Sequence, residues 1–142
     1  MNDEELVLSL EREFATERKV GHSILLHLKE IKLRRLYAKR GYPNMFVMLV
    51  RHFGQSESAA NQRLKALDLM MAVPGVEERL ASGELSLSAA AMVQRQIRME
   101  EKLGGAAVSG PKKVQIVQAV AGKTLAQTEI ELFRLLPNTA SA

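Results

Sequence analysis

The sequence predicts an all-α fold, a multi-helix domain with a central helix-turn-helix. Three observations carry that expectation. Ala, Leu, Glu, Lys, Arg, Gln and Met dominate, and these are the better helix formers. No alternating apolar run is bounded by turn signals on both sides, so strands are not expected. Finally, NMFVMLVRHFGQSESAANQRLKALDLMMA at 44–72 reads as a helix, a tight turn and a second helix. Gly54 takes the left-handed turn after the first helix at little steric cost. Ser56 caps the second helix, and Glu57 meets the positive end of its dipole. So short a turn suits two helices that cross steeply.

The elements follow in order. A first helix is expected from about residue 4 to 18, capped by Asp3, with Leu6, Val7, Leu10 and Phe14 on one stripe. A second should cover about 22 to 40, its stripe of Ile24, Leu28 and Ile31 ringed by Lys29, Lys32, Arg34, Arg35, Lys39 and Arg40. Gly21 either breaks the two into a hairpin or bends one long helix, and residues 1–43 form this N-terminal unit. GYPN at 41–44 stops one helix and restarts another. Residues 44–103 hold the helix-turn-helix and its supports. Pro74 opens and Gly83 closes a short helix, then Ser86 or Ser88 caps one carrying Ala89, Ala90, Met92, Val93 and Ile97. GGAAVSGP at 104–111 reads as a linker. A C-terminal helix pair spans 112–137: Val114, Ile116, Val117 and Val120 up to Gly122, then a capping box of Thr124 and Gln127 leading to about Leu136. Residues 138–142 read as a frayed tail.

Length and composition bound the function. The 142 residues fit one ordinary domain, and 46% hydrophobic content supplies a core. The absence of cysteine excludes disulfides, Cys-ligated zinc, iron–sulfur clusters and a cysteine nucleophile. The acidic start MNDEEL is not a secretory signal, and no apolar run approaches the roughly 20 residues of a membrane span. The expectation is a cytoplasmic protein with no membrane partner.

Catalytic constellations are missing from the pattern. His22 and His27 are five apart on one helix, on different sides, and His52 lies on another. The adjacent pairs Glu77–Glu78 and Glu100–Glu101 diverge and read as solvated surface. Ser23, Ser58 and Ser88 show no His–Asp arrangement, and the glycines at 104–105 do not form a phosphate loop. Met70, Met71, Met92 and Met99 read as core filling. Tyr37 and Tyr42 read as packing between the second and third helices. The chain is therefore expected to be no enzyme and to bind no cofactor, metal or small-molecule substrate.

Charge points elsewhere. Residues 1–17 carry six acids against one base, −5, and residues 18–65 carry eleven bases against two acids, +9. Residues 66–142 carry eight of each. A lone basic run is commonly a solvated helix. Here it coincides with the helix-turn-helix, which is the electrostatic footprint of a polyanion partner.

The second helix of that motif has two faces. Ala60, Leu64, Leu67 and Met71 should pack inward. Opposite lie Ser58, Asn61, Gln62 and Lys65, short polar side chains suited to base edges: amides to adenine, Lys to guanine or phosphate, Ser to either. Early residues of a recognition helix are the ones that reach bases. Arg63 and Arg51, with Arg34, Arg35, Lys39 and Arg40, are expected on the DNA backbone. One short helix reads few base pairs, so a homodimer on a paired site is expected.

GQSESAANQRLKALDLMMAVPGVEERLASGELSLSAA resembles the helix-turn-helix region of ParB-type partition proteins. The shared order is a Ser-capped helix, a leucine-rich end, a proline, a short helix, a G-x-L-S turn and another helix. KKVQIVQAVAGKTLAQTEIELF is similar to the later helix pair of that domain, so the likeness covers roughly residues 45–135. A longer stretch, LLHLKEIKLRRLYAKRGYPNMFVMLVRHFGQSESAANQRLKALDLM, resembles the N-terminal helical region of bacterial HNH-endonuclease family proteins. Their GELSLSA and GKS…E segments recur as GELSLSA at 83–89 and GKTLAQTE at 122–129. In that family a C-terminal nuclease module follows; no HNH module lies within these residues, and the partition family's arginine-rich nucleotide-binding box is also missing. The resemblance implies double-stranded DNA binding, as a targeting region or a stand-alone regulator, and neither nuclease nor nucleotide hydrolysis. The competing expectation is a helical protein–protein module in which residues 4–40 dimerise and the basic block meets an acidic partner.

Overall fold

A computed structural model describes residues 1–141 and is all-α among them. The helices are α1 (Asp3–Arg34), α2 (Leu36–Lys39), α3 (Met45–Arg51), α4 (Glu57–Ala72), α5 (Val76–Ser82), α6 (Leu87–Gly104), α7 (Gly110–Val120), α8 (Leu125–Leu135) and α9 (Pro137–Ala140). None of the described helices is long and apolar enough to cross a membrane.

The N-terminal region is one helix of 32 residues, about 48 Å at 1.5 Å per residue. Its cap is Asn2 and not Asp3: the Asn2 side-chain oxygen accepts the Glu5 N–H at 2.8 Å. Asp3 moves into the first turn, where Asp3, Glu4 and Glu5 meet the helix dipole. Gly21 does not interrupt the helix, since one interior glycine costs only about 1 kcal/mol relative to alanine. The break falls at Arg35, which sits at φ 52° and is the one non-glycine residue with positive φ among those described. Beyond it, α2 turns Tyr37 against the core.

The core centres on α4 and α6, which make the most extensive helix–helix contact. Of the expected inward residues of α4, Ala60 and Leu67 are fully buried and Leu64 packs half-buried on the core. Met71 instead remains 38% exposed, while Ala66, Leu69 and Met70 go inside. The reason is a second wall: α6 covers a further side of α4, presenting Ala89, Ala90, Val93 and Ile97. The small Ala60, Ala66, Ala89 and Ala90 let the helix axes approach. Met99, also expected in the core, stays 43% exposed.

Local capping sets the other boundaries. Asn44, Ser56, Ser86, Ser109 and Thr124 each accept an N–H from the first turn of their helix, and Thr124 completes its capping box with Gln127. The expected linker at 104–111 is a short turn between α6 and α7, held by the Val108 N–H on the Glu101 carboxylate at 3.0 Å. The Gly122 N–H donates to the Glu84 carbonyl at 2.8 Å, tying the α7–α8 turn to the α5–α6 turn.

The expected frayed tail is ordered through residue 141, and residue 142 lies outside the described residues. Glu100 explains the order. Its carboxylate accepts the Thr139 N–H at 2.9 Å, the Thr139 hydroxyl at 3.1 Å, the Asn138 side-chain amide at 2.8 Å and the Asn138 N–H at 3.3 Å. Glu100 is buried, which corrects its expected place on a solvated surface. Burial by itself would push its pKa up. The donors from Thr139 and Asn138 outweigh that and hold it below the ordinary carboxylate value.

Candidate functional site

The α3–α4 junction positions the exposed end of α4. Met45, Met48 and Leu49 bury the inner side of α3 against α4. The His52 N–H returns to the Met48 carbonyl at 2.9 Å, and the Gln55 N–H to the Leu49 carbonyl at 3.0 Å. Gly54, at φ 66°, supplies the left-handed residue that this reversal requires. The Ser56 hydroxyl then accepts the Ala59 N–H at 3.1 Å and starts α4. The first turns of α4 are thus fixed by a cap at one end and by buried Ala60 beneath.

Ser58, Asn61, Gln62 and Lys65 all border one open groove of about 420 Å³ between α4 and α6. Ser58 and Asn61 are exposed; Gln62 and Lys65 are half-buried. The sequence places Gln62 on the open polar face, but the side chain is tethered. Its side-chain amide donates to the Ser88 hydroxyl at 2.8 Å, because α6 rises beside that flank of α4. Across the groove stand Met92 and the exposed Arg95, a cation that the sequence did not single out. No local signal could have found it, since it lies on a different helix 30 residues beyond Lys65.

The expected backbone-contacting cations scatter. Arg63 is half-buried and borders an adjoining groove beneath α1, with Phe14, Glu17 and Arg18; Gln62 and Ser88 line both grooves. Arg34 pairs with Glu30 at 3.0 Å within α1. Arg35 sits at the helix break, Lys39 and Arg40 are exposed at the end of α2, and Arg51 is exposed at the end of α3. Further along α4 and α6, Lys32 pairs with Asp68 at 2.9 Å and shares a hollow with Arg98 and Lys113. Lys65, Arg95 and Arg98 therefore mark successive positions along the α4–α6 seam.

The three histidines do not converge. His22 lies 3.3 Å from Glu77, His27 folds back on the Ser23 carbonyl at 2.7 Å, and His52 meets Tyr42 and Phe53 edge-on. Compared with known proteins, the chain matches no family model, no curated protein and no solved structure.

Proposed function

We propose that the chain is a sequence-selective double-stranded DNA-binding module, with α3, its turn and α4 acting as a helix-turn-helix. One observation carries the reading most: α4, capped at its N-terminus, buries Ala60 and Leu67 while leaving Ser58 and Asn61 exposed, with Lys65 beside them. Those exposed groups are hydrogen-bonding side chains of the kind that discriminate base edges in a major groove. Arg95 across the groove adds a guanidinium that can fork onto a phosphate or a guanine edge. Arg51 at the end of α3, with Lys39 and Arg40, supplies cations for phosphates on the approach. Gln62 joins base reading only by exchanging Ser88 for a base. The resemblance to ParB-type and HNH-associated helical regions points the same way.

The test is anisotropy titration of labelled duplexes across a salt series, after selecting preferred sites from a random pool. Log affinity should fall steeply with log salt, because each neutralised phosphate releases counterions. A protein that binds no duplex even at low salt would overturn the proposal. The module is proposed to bind without cutting, as a region of a longer nuclease or as a regulator; plasmid nicking lost on His22→Ala, His27→Ala or His52→Ala would contradict that.

A further inference from the structure

The first half of α1 is an apolar stripe without a cover. Leu6, Val7, Leu10 and Phe14 lie on one face and are each between 51% and 60% exposed. The same stripe continues into Ile24, Leu25, Leu28 and Ile31, where the body of the domain covers it. Contact with that body begins at Arg18, whose side chain lies over Gly83, and at His22, beside Glu77. Before Arg18 the helix stands off, leaving an open groove of about 800 Å³. Its apolar lining is Leu10, Phe14 and Ile24 on α1, facing Leu80, Leu85 and Leu87.

An isolated helix of this length is marginal in water without a tertiary partner, and contiguous exposed apolar surface marks an interaction site. Charge names the partner. Residues 1–17 carry six acids and one base, −5; residues 18–34 carry five bases and one acid, +4. The two halves of α1 are therefore opposite in charge. Parallel pairing of two copies would set acid on acid. Antiparallel pairing about a two-fold axis near Glu17 sets each acidic half against a basic one, and lets the same surface serve both copies.

We infer that residues 3–17 of α1 are a docking arm for a second copy of this chain, which lies antiparallel in the groove between α1 and the α5–α6 turn. Each arm supplies Leu10 and Phe14 to the partner's groove and brings Asp3, Glu4 and Glu5 toward the partner's Lys29. The inference does not depend on DNA binding.

Sedimentation velocity on the full chain should show a dimer at micromolar concentration that weakens as salt rises. Leu10→Asp with Phe14→Asp should raise the dimer dissociation constant by roughly 100-fold or more, given four half-exposed side chains buried per dimer. Geometry is read independently of any folding defect, because the chain has no cysteine. Glu17→Cys should cross-link to its own counterpart through a short bismaleimide. Leu6→Cys should not, because antiparallel packing holds its two copies about 33 Å apart. Cross-linking of both variants would mean parallel arms and would overturn the proposal, as would a protein that stays monomeric at high protein concentration in low salt. A monomer that still binds duplex DNA would sink the arm alone; a dimer that binds none would sink the proposed function alone.

Discussion

The first half of α1 and the whole of α4 are helices of similar length with similar local signals. Asn2 and Ser56 cap them in the same way, each accepting an N–H three residues on. Both carry apolar residues at helical spacing. Yet α4 buries Ala60, Ala66, Leu67, Leu69 and Met70, whereas residues 3–17 bury none. The difference lies in their neighbours: α1, α3, α5 and α6 surround α4, and nothing among the described residues covers the start of α1. Periodicity states which face of a helix favours burial. Only the rest of the fold, or a second molecule, decides whether it is buried.

Paired truncations should expose that contrast most strongly. Leu67→Ala opens a cavity at a fully buried position and should cost about 2–5 kcal/mol. Leu10→Ala should change stability by no more than about 0.5 kcal/mol in protein dilute enough to keep copies apart, since its site is already solvated. Urea melts of the two variants check this. Equal losses would mean that the start of α1 is packed within its own chain.

Ala60→Leu probes the same centre by addition. Ala60 is fully buried between packed helices, so the larger side chain should overpack α4 and cost about 1–3 kcal/mol. A thermal melt that matches the wild type would show that α4 has room beneath its capped end.

Glu100 sharpens the comparison at the opposite terminus, where a chain end does find a cover. Glu100→Ala leaves the donors of Asn138 and Thr139 without their acceptor and should cost about 1–3 kcal/mol. The folded-state pKa is depressed, so the clasp contributes fully above the carboxyl's ordinary value of 4.5 and is lost as pH falls through the lower folded value. Amide exchange at Asn138 and Thr139 should accelerate in that acid window, after correction for intrinsic rates, and stay flat above it. An exchange profile unchanged by pH or by Glu100→Ala would detach the carboxylate from the ordering of α9.

What the sequence disclosed was local. Ser56, Ser86 and Thr124 cap helices where their spacing placed them, because a cap needs only its own first turn. The all-α fold followed from composition for a related reason. Long-range packing was hidden. Arg35 breaks the N-terminal helix although Gly21 is the stronger local breaker. Met71, expected inside with Met70, stays exposed because α6 walls a second side of α4. Gln62 finds Ser88 across 26 residues, and Glu100 finds Thr139 across 39. At the candidate site, Ser58 and Asn61 are exposed as their spacing foretold, while Arg95 enters from a helix that no local pattern connects to α4.

The central claim is that the exposed polar face of α4 reads bases, and Asn61 tests it most directly. Asn61 is exposed and borders the groove with no side-chain hydrogen bond among the described residues, so Asn61→Ala removes the proposed reader and little else. On a selected duplex the variant should lose about 1–3 kcal/mol of binding while its affinity for random duplex stays unchanged. Arg51→Ala, measured beside it, should weaken both duplexes alike and reduce the salt slope, because phosphate contacts position without specifying. A loss from Asn61→Ala that is equal on selected and random DNA, or no loss at all, would contradict base reading by α4.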